Sequence, residues 1–279
     1  MREIAKTFST LEKRGEGGLI AYVTAGDPEP KFTPRIVEAL VNGGADIVEL
    51  GIPFSDPIAD GPTIQAASVR ALKAGTTPKK VLKTAEEIRE RTRVPLVILT
   101  YYNPIFRMGQ RNFFEYAKTC GVNGIIVPDL PVEEADEYKR FAETYEVDTI
   151  FLAAPSTSKE RLKKIVEYTS GFLYLVSVFG VTGAREKVQD LTIRLIRETL
   201  QTTQGKVPLA VGFGISKPEH VRAIIQNGAD AAIVGSGFVK IINEKHNKKE
   251  EMLQDLKEYA LKLKKATMNK NAHAMRGGS

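Results

Sequence analysis

The chain has 279 residues, 42% of them hydrophobic, with a formal net charge of +6 and a single cysteine. That length suits two average domains or one α/β barrel, and it is enough to bury a sizeable core. The lone Cys120 excludes an internal disulfide and a cysteine-cluster metal site, so buried filler in a reducing, cytoplasmic setting is expected of it.

Met1 to Gly18 is charged and amphipathic, without the apolar h-region of a secretory signal. No apolar run approaches the roughly 18 residues that span a bilayer, so no membrane is expected as a partner. From there on, short apolar runs recur, each bounded by Gly, Pro, Asn or Asp. They are Leu19–Val23, Asp46–Leu50, Leu96–Thr100, Gly124–Val127, Thr149–Leu152, Phe172–Ser177, Leu209–Val211 and Ala231–Val234, eight in all. They read as continuously apolar, as strands buried on both faces should. Amphipathic, helix-length stretches separate them: Pro34–Asn42, Thr63–Ala74, Pro78–Arg91, Asn112–Thr119, Val132–Tyr145, Lys159–Tyr168, Leu191–Gln201 and Pro218–Asn227. Strand alternating with helix implies a parallel sheet, and eight such units predict a (β/α)8 TIM barrel with extra helices. The phrases Asn42-Gly-Gly-Ala-Asp46 and Asn227-Gly-Ala-Asp230 echo one another, as in a repeated half-barrel. No G-x-G-x-x-G follows the first strand, which weakens an open dinucleotide-binding sheet. Two connections exceed what the unit needs: Gly51–Val94, where two helices fit, and Val178–Asp190.

Lys240 to Ser279 holds ten Lys/Arg and five Asp/Glu, a net of +5, leaving +1 for the rest of the chain. The excess lies on a C-terminal helical pattern (Lys257, Lys262, Lys264, Lys265) and is expected to be a solvated face. Without a basic stripe interleaved with aromatics, no nucleic-acid partner is expected. Residues 1–265 read as one catalytic domain. Residues 266–279 read as a disordered C-terminal tail, and Asn271 to Ser279 as either such a tail or an expression remnant.

Barrel active sites lie at the C-terminal ends of the strands. Strand two ends in Glu49, and a Gly/Pro-rich loop carrying Asp56 and Asp60 follows it. Taken alone, these acids have a plain explanation, Glu49 as a satisfied polar end and Asp60 as the start of a helix. Gly212-Phe-Gly214 and Gly235-Ser-Gly237 fall at the ends of strands seven and eight. Glycine turns there expose backbone N–H groups at the usual phosphate position of a barrel, and Gly183 could add more. Tyr22, Leu99, Tyr101, Tyr174 and Phe213 would line the space between phosphate and carboxylates. A Glu in the mouth should have its pKa raised by desolvation, while Asp60, on a better solvated loop, should stay ionised. His220, His246 and His273 form no metal-ligand pattern, and no metal is expected.

The stretch Val48-Glu-Leu-Gly-Ile-Pro-Phe-Ser-Asp-Pro-Ile-Ala-Asp-Gly-Pro-Thr-Ile-Gln65 resembles the hallmark of the tryptophan synthase alpha subunit. The resemblance continues through Tyr22–Pro28, Pro128–Glu134, Ala153–Thr157, Gly180–Gly183, Val211–Ser216 and Gly235-Ser236. It implies retro-aldol cleavage of indole-3-glycerol phosphate to indole and glyceraldehyde 3-phosphate. Glu49 would protonate the indole C3, and Asp60 would stabilise positive charge at the indole nitrogen. Tyr174 would line the site, and Gly183, Gly212, Gly214, Gly235 and Ser236 would hold the phosphate. The loops Pro53–Asp60 and Gly180–Asp190, the latter with Thr182, would close over the substrate, and Asp56 would signal to a partner. That partner is the beta subunit of an alpha2-beta2 complex, which would carry pyridoxal phosphate, with no cofactor in this chain. Two other readings remain: a neighbouring phosphate-binding barrel isomerase, disfavoured by the Glu49–Asp60 loop, and a subunit that mainly activates its partner.

Overall fold

The computed structural model describes residues 1–176, 185–212 and 214–268, with backbone alone at 185–190. Its strands are β1 (Gly18–Thr24), β2 (Ile47–Gly51), β3 (Leu96–Leu99), β4 (Gly124–Ile126), β5 (Asp148–Ile150), β6 (Leu152–Ala153), β7 (Leu173–Val176), β8 (Leu209–Gly212) and β9 (Ala231–Val234). All pair in parallel, in the order β5-β4-β3-β2-β1-β9-β8-β7-β6. β5 and β6 are one barrel strand interrupted at Phe151, whose carbonyl accepts from the Tyr174 N–H of β7 at 3.0 Å. The two ends of the sheet are thus joined, and the eight-stranded barrel expected from the apolar runs is formed.

Side-chain alternation sorts each strand into an inner and an outer face. On β1 and β2, Leu19, Ala21, Val23, Val48 and Leu50 point outward into the layer beneath the helices. Ile20 and Ile47 point inward, where they meet Val97, Ile126, Phe172 and Ile233 in a second cluster. The charged N-terminal stretch is helix α1 (Glu3–Lys13). It turns Ile4 and Phe8 into the inner cluster, with Phe8 and Phe172 ring centroids 6.0 Å apart, and closes the barrel's lower end. Burying a side chain of this size contributes roughly 1.5–3 kcal/mol.

The outer helices are α2 (Thr33–Asn42), α3 (Pro62–Lys73), α4 (Pro78–Arg89), α5 (Tyr102–Met108), α6 (Gln110–Thr119), α7 (Asp136–Thr144), α8 (Lys159–Tyr168), α9 (Arg185–Thr203), α10 (Pro218–Gln226), α11 (Ser236–Lys245) and α12 (Lys249–Thr267). The long β2–β3 connection holds two helices, α3 and α4, as its length predicts. The β7 connection differs from expectation: Arg185–Asp190, read as part of a closing loop, is the first turn and a half of α9. Its Arg-Glu-Lys-Val-Gln run is rich in good helix formers and has no Gly or Pro to stop it. Val132–Tyr145, read as one helix, is a 3-10 turn at Val132–Glu134 followed by α7.

The repeated Asn-Gly-Ala-Asp phrase has a physical role. The Asp46 carboxylate accepts the Leu19 N–H at 2.8 Å, and the Asp230 carboxylate accepts the Leu209 N–H at 2.8 Å. Each stitches the start of its own strand to that of a neighbour. Asn123 does the same for Leu96 at 2.9 Å.

Helix α12 corrects the reading of the basic C-terminus as a solvated face. Lys257, Lys262 and Lys265 are exposed, but Lys264 is buried. Its ammonium lies 2.9 Å from Asp46 and 3.4 Å from Glu16, and donates to the Gly17 carbonyl at 3.2 Å. Lys249, at the other end of α12, pairs with Glu29. The helix therefore runs the height of the barrel and pins the chain beside β1. It continues to Thr267, two residues past the expected domain end, with Ala266 and Thr267 buried. Residues 269–279, the bulk of the expected tail, lie outside the described residues. Cys120 is a free, buried thiol in the helix layer, as expected. No helix among the described residues is long and apolar enough to cross a membrane.

Candidate active site

Glu49 stands one step above Ile47 on β2 and points into the barrel. Its registered neighbours are Tyr22 on β1 and Val97 on β3. It is 0% exposed, and neither carboxylate oxygen has a hydrogen-bond partner among the described residues. That removes the plain reading of a satisfied polar end. Burial raises its pKa from 4.5 to about 8, because the ionised form has lost water and gained no donor. A carboxyl left in this condition costs stability and persists where proton transfer needs it.

Asp60 ends the loop that follows β2. Its other reading, as the start of α3, also fails: the helix begins at Pro62 after Gly61, with no side-chain cap. Instead the loop is held by Tyr101. The Tyr101 hydroxyl accepts the Ala59 N–H at 2.9 Å, which leaves its own proton free for Asp60. Its ring stacks on Phe54, centroids 5.1 Å apart. Asp60 is half-buried, and burial raises its pKa, with the Tyr101 hydroxyl pulling the other way. This corrects the expectation of an Asp60 governed by solvent: it is wetter than Glu49, yet its ionised form depends on the tyrosine. Asp56 is exposed and accepts from the Ser55 hydroxyl at 2.5 Å, and Ile58 beside it is 84% exposed.

Tyr22 and Tyr174 flank Glu49 from β1 and β7, and both are buried. Each phenol is raised by burial, with Glu49 and Asp60 contributing, so the four groups share one electrostatic environment. Glycines at the strand ends make room for these rings. A Cβ on Gly51 would lie 2.2 Å from the Tyr22 hydroxyl, and one on Gly212 would lie 2.3 Å from the Tyr174 hydroxyl. A Cβ on Gly235 would lie 3.1 Å from the Tyr22 ring. Gly212 and Gly235, read from sequence as part of an anion cradle, are clearances for aromatic walls, as is Gly51. Leu99 is half-buried at the end of β3, where it touches both the inner cluster and the group formed by Tyr22, Ile64, Ala67 and Val239.

Gly212 ends β8, and Gly214 follows at φ +73, a backbone that side chains rarely adopt. Gly235 precedes α11, and Ser236 is its first residue, so the first turn of the helix, whose N–H groups have no partner within the helix, starts at the same rim. Gly212, Gly214, Gly235 and Ser236 are therefore brought together at the ends of β8 and β9. Thr182, Gly183 and Phe213 lie outside the described residues. Among the described residues no group of three or more His, Cys, Asp or Glu could hold a metal ion.

Sequence reasoning missed Phe54 and Ile64, although both lie inside the motif it quoted. It also missed a clamp at the rim. Arg70 of α3 grips the fully buried Asp27 with two hydrogen bonds, 2.8 and 2.7 Å, and donates to Asn243 of α11 at 2.8 Å. The helix leaving the Asp60 loop is thereby tied to the helix that begins at the glycine rim of β9.

A family model described as tryptophan synthase alpha chain matches residues 8–268. The chain belongs to the tryptophan synthase alpha chain family. The tryptophan synthase alpha chain of Methanosarcina barkeri is 50% identical over 95% of this chain and 99% of its own length. That of Arabidopsis thaliana is 42% identical, covering 95% and 96%. Among solved structures, a chain from the tryptophan synthase a2b2 complex of the hyperthermophile Pyrococcus furiosus is 46% identical, with a TM-score of 0.83 over 89% of this chain and 98% of that one. A tryptophan synthase alpha chain from Legionella pneumophila superposes with a TM-score of 0.86 at 34% identity, covering 96% and 97%. Membership of the tryptophan synthase alpha chain family makes this barrel a lyase of tryptophan biosynthesis acting on indole-3-glycerol phosphate.

Proposed function

We propose that Glu49 and Asp60 carry out the retro-aldol cleavage of indole-3-glycerol phosphate, working as acid and electrostatic partner. The observation that supports this most is a fully buried Glu49 with no hydrogen-bond partner among the described residues, its pKa raised by burial to about 8. Indole leaves poorly unless its C3 is protonated first, and Glu49 gives that proton. Protonation moves positive charge to the indole nitrogen, where the Asp60 carboxylate accepts its N–H. The bond between C3 and the glycerol carbon then breaks, and its electrons restore the neutral indole ring. The hydroxyl on that glycerol carbon loses its proton and becomes the aldehyde of glyceraldehyde 3-phosphate. Glu49, ionised by the first step, is the base that takes this proton, so it ends as it began. Proton transfer by a positioned side chain accounts for about 10²–10⁴ in rate.

Tyr22, Leu99, Tyr101, Tyr174 and Phe213 would wall the indole, while Gly183, Gly212, Gly214, Gly235 and Ser236 would hold the phosphate. Thr182 would belong to the closing loop. The beta subunit, as in the a2b2 assembly from P. furiosus, is the proposed partner. It would carry the pyridoxal phosphate, and Asp56 on the exposed loop tip would report to it. A cytoplasmic location goes with this reading. The test is indole formation from indole-3-glycerol phosphate by the full chain, with and without a beta subunit. Indole released by the chain and faster release with the partner are expected; none in either case would overturn the assignment.

A further inference from the structure

The proposed phosphate rim is built from two pieces far apart in sequence: the loop after β8, described over residues 214–217, and the first turn of α11 at Ser236-Gly237. One side chain touches both from outside the barrel. Tyr259 of α12 donates its hydroxyl to the Ser216 carbonyl at 2.6 Å. The same hydroxyl fills the space beside Gly237, where a Cβ would lie 2.3 Å from it. Its ring packs edge-on against Phe238 at 5.0 Å between centroids. Phe238 is fully buried, so this wedge has a fixed base. Burial pushes the Tyr259 phenol up to about 12, so it stays a donor across the working range of pH.

We infer that Tyr259 is a positioning residue for substrate phosphate: its hydroxyl sets the β8 loop and the start of α11 at the spacing that lets their N–H groups converge on one anion. This inference rests on the phosphate assignment made above. It gives α12 a role beyond packing, since the helix that Lys264 pins at the bottom of the barrel aligns the anion cradle at the top. The glycine at position 237 fits the same arrangement, because any side chain there would displace the hydroxyl.

The test is Tyr259→Phe in the full chain. The ring stays on Phe238, so the fold is retained, and only the hydroxyl is lost. Inorganic phosphate and indole are titrated separately by calorimetry into wild type and variant. Phosphate affinity should fall about three- to ten-fold, the range set by one net hydrogen bond. Indole affinity should not change. KM for indole-3-glycerol phosphate should rise by the same factor as the phosphate constant, with kcat within about twofold. An unchanged phosphate affinity, whatever the thermal midpoint does, overturns the inference, as does an equal loss of indole affinity. A wild-type chain that binds phosphate but releases no indole would sink the lyase assignment alone and leave this comparison readable.

Discussion

Replacing Glu49 by Gln separates the chemistry of this carboxyl from its effect on stability. The amide keeps the size and the neutral state of the protonated acid. A carboxyl whose pKa rises on folding from 4.5 to about 8 binds its proton more tightly in the folded state. Below pH 4.5 both states are protonated and the group is neutral to stability. As pH climbs from there toward 8 the unfolded chain releases the proton first, so wild-type stability falls with pH. At 1.36 kcal/mol for each tenfold in proton affinity, the full cost above pH 8 is on the order of 4–5 kcal/mol, and at pH 7 it is about 3 kcal/mol. Glu49→Gln carries no such cost. Urea unfolding of both proteins from pH 4 to pH 9 should show the variant gaining on wild type by that amount as pH rises. Its indole release should fall by about 10²–10⁴ throughout. Parallel stability profiles would refute the buried, unpartnered state of Glu49. Wild-type-like turnover in the variant would refute its role as the acid.

The same protonation gives a direct kinetic expectation: kcat/KM should decline above a pH of about 8, as the acid form is lost, and a flat profile to pH 10 would contradict it. Asp60→Ala should reduce indole release by about 10²-fold or more, the scale of a removed electrostatic partner; full activity would return Asp60 to a structural part of its loop. Gly212→Ala drives a methyl group into the Tyr174 ring, so it should weaken inorganic phosphate binding and distort the indole wall, measured by calorimetry with each ligand. Lys264→Met leaves the half-buried Asp46 without its cation and should cost up to about 3 kcal/mol in denaturant unfolding, the lower end of what a fully buried pair costs; a loss below about 0.5 kcal/mol, typical of surface positions, would restore the solvated reading of that lysine.

Eight apolar runs, each of strand length and bounded by breakers, were enough to specify the barrel, because a strand buried on both faces has no alternative pattern. Strand order alone put Glu49 on the second strand and the glycines at two later strand ends, but β2 continues past Glu49 to Gly51, so the acid sits in mid-strand rather than at the strand's last residue. The repeated phrase around Asp46 and Asp230 was legible in the sequence as an echo of two half-barrels, whereas its strand-stitching role rests on hydrogen bonds to Leu19 and Leu209 that only the fold supplies. Tertiary structure decided whether Glu49 had a partner, since its neighbours Tyr22, Val97 and Tyr174 come from three other strands. It likewise decided that Tyr101 holds the Asp60 loop, that Lys264 is buried, and that Tyr259 and Arg70 brace the rim. Each of these depends on groups brought together from distant parts of the chain. Charge, amphipathicity and turn signals report a residue's own preference for water. They do not report which distant group meets it, and that meeting sets the desolvation and hydrogen bonding on which the chemistry rests.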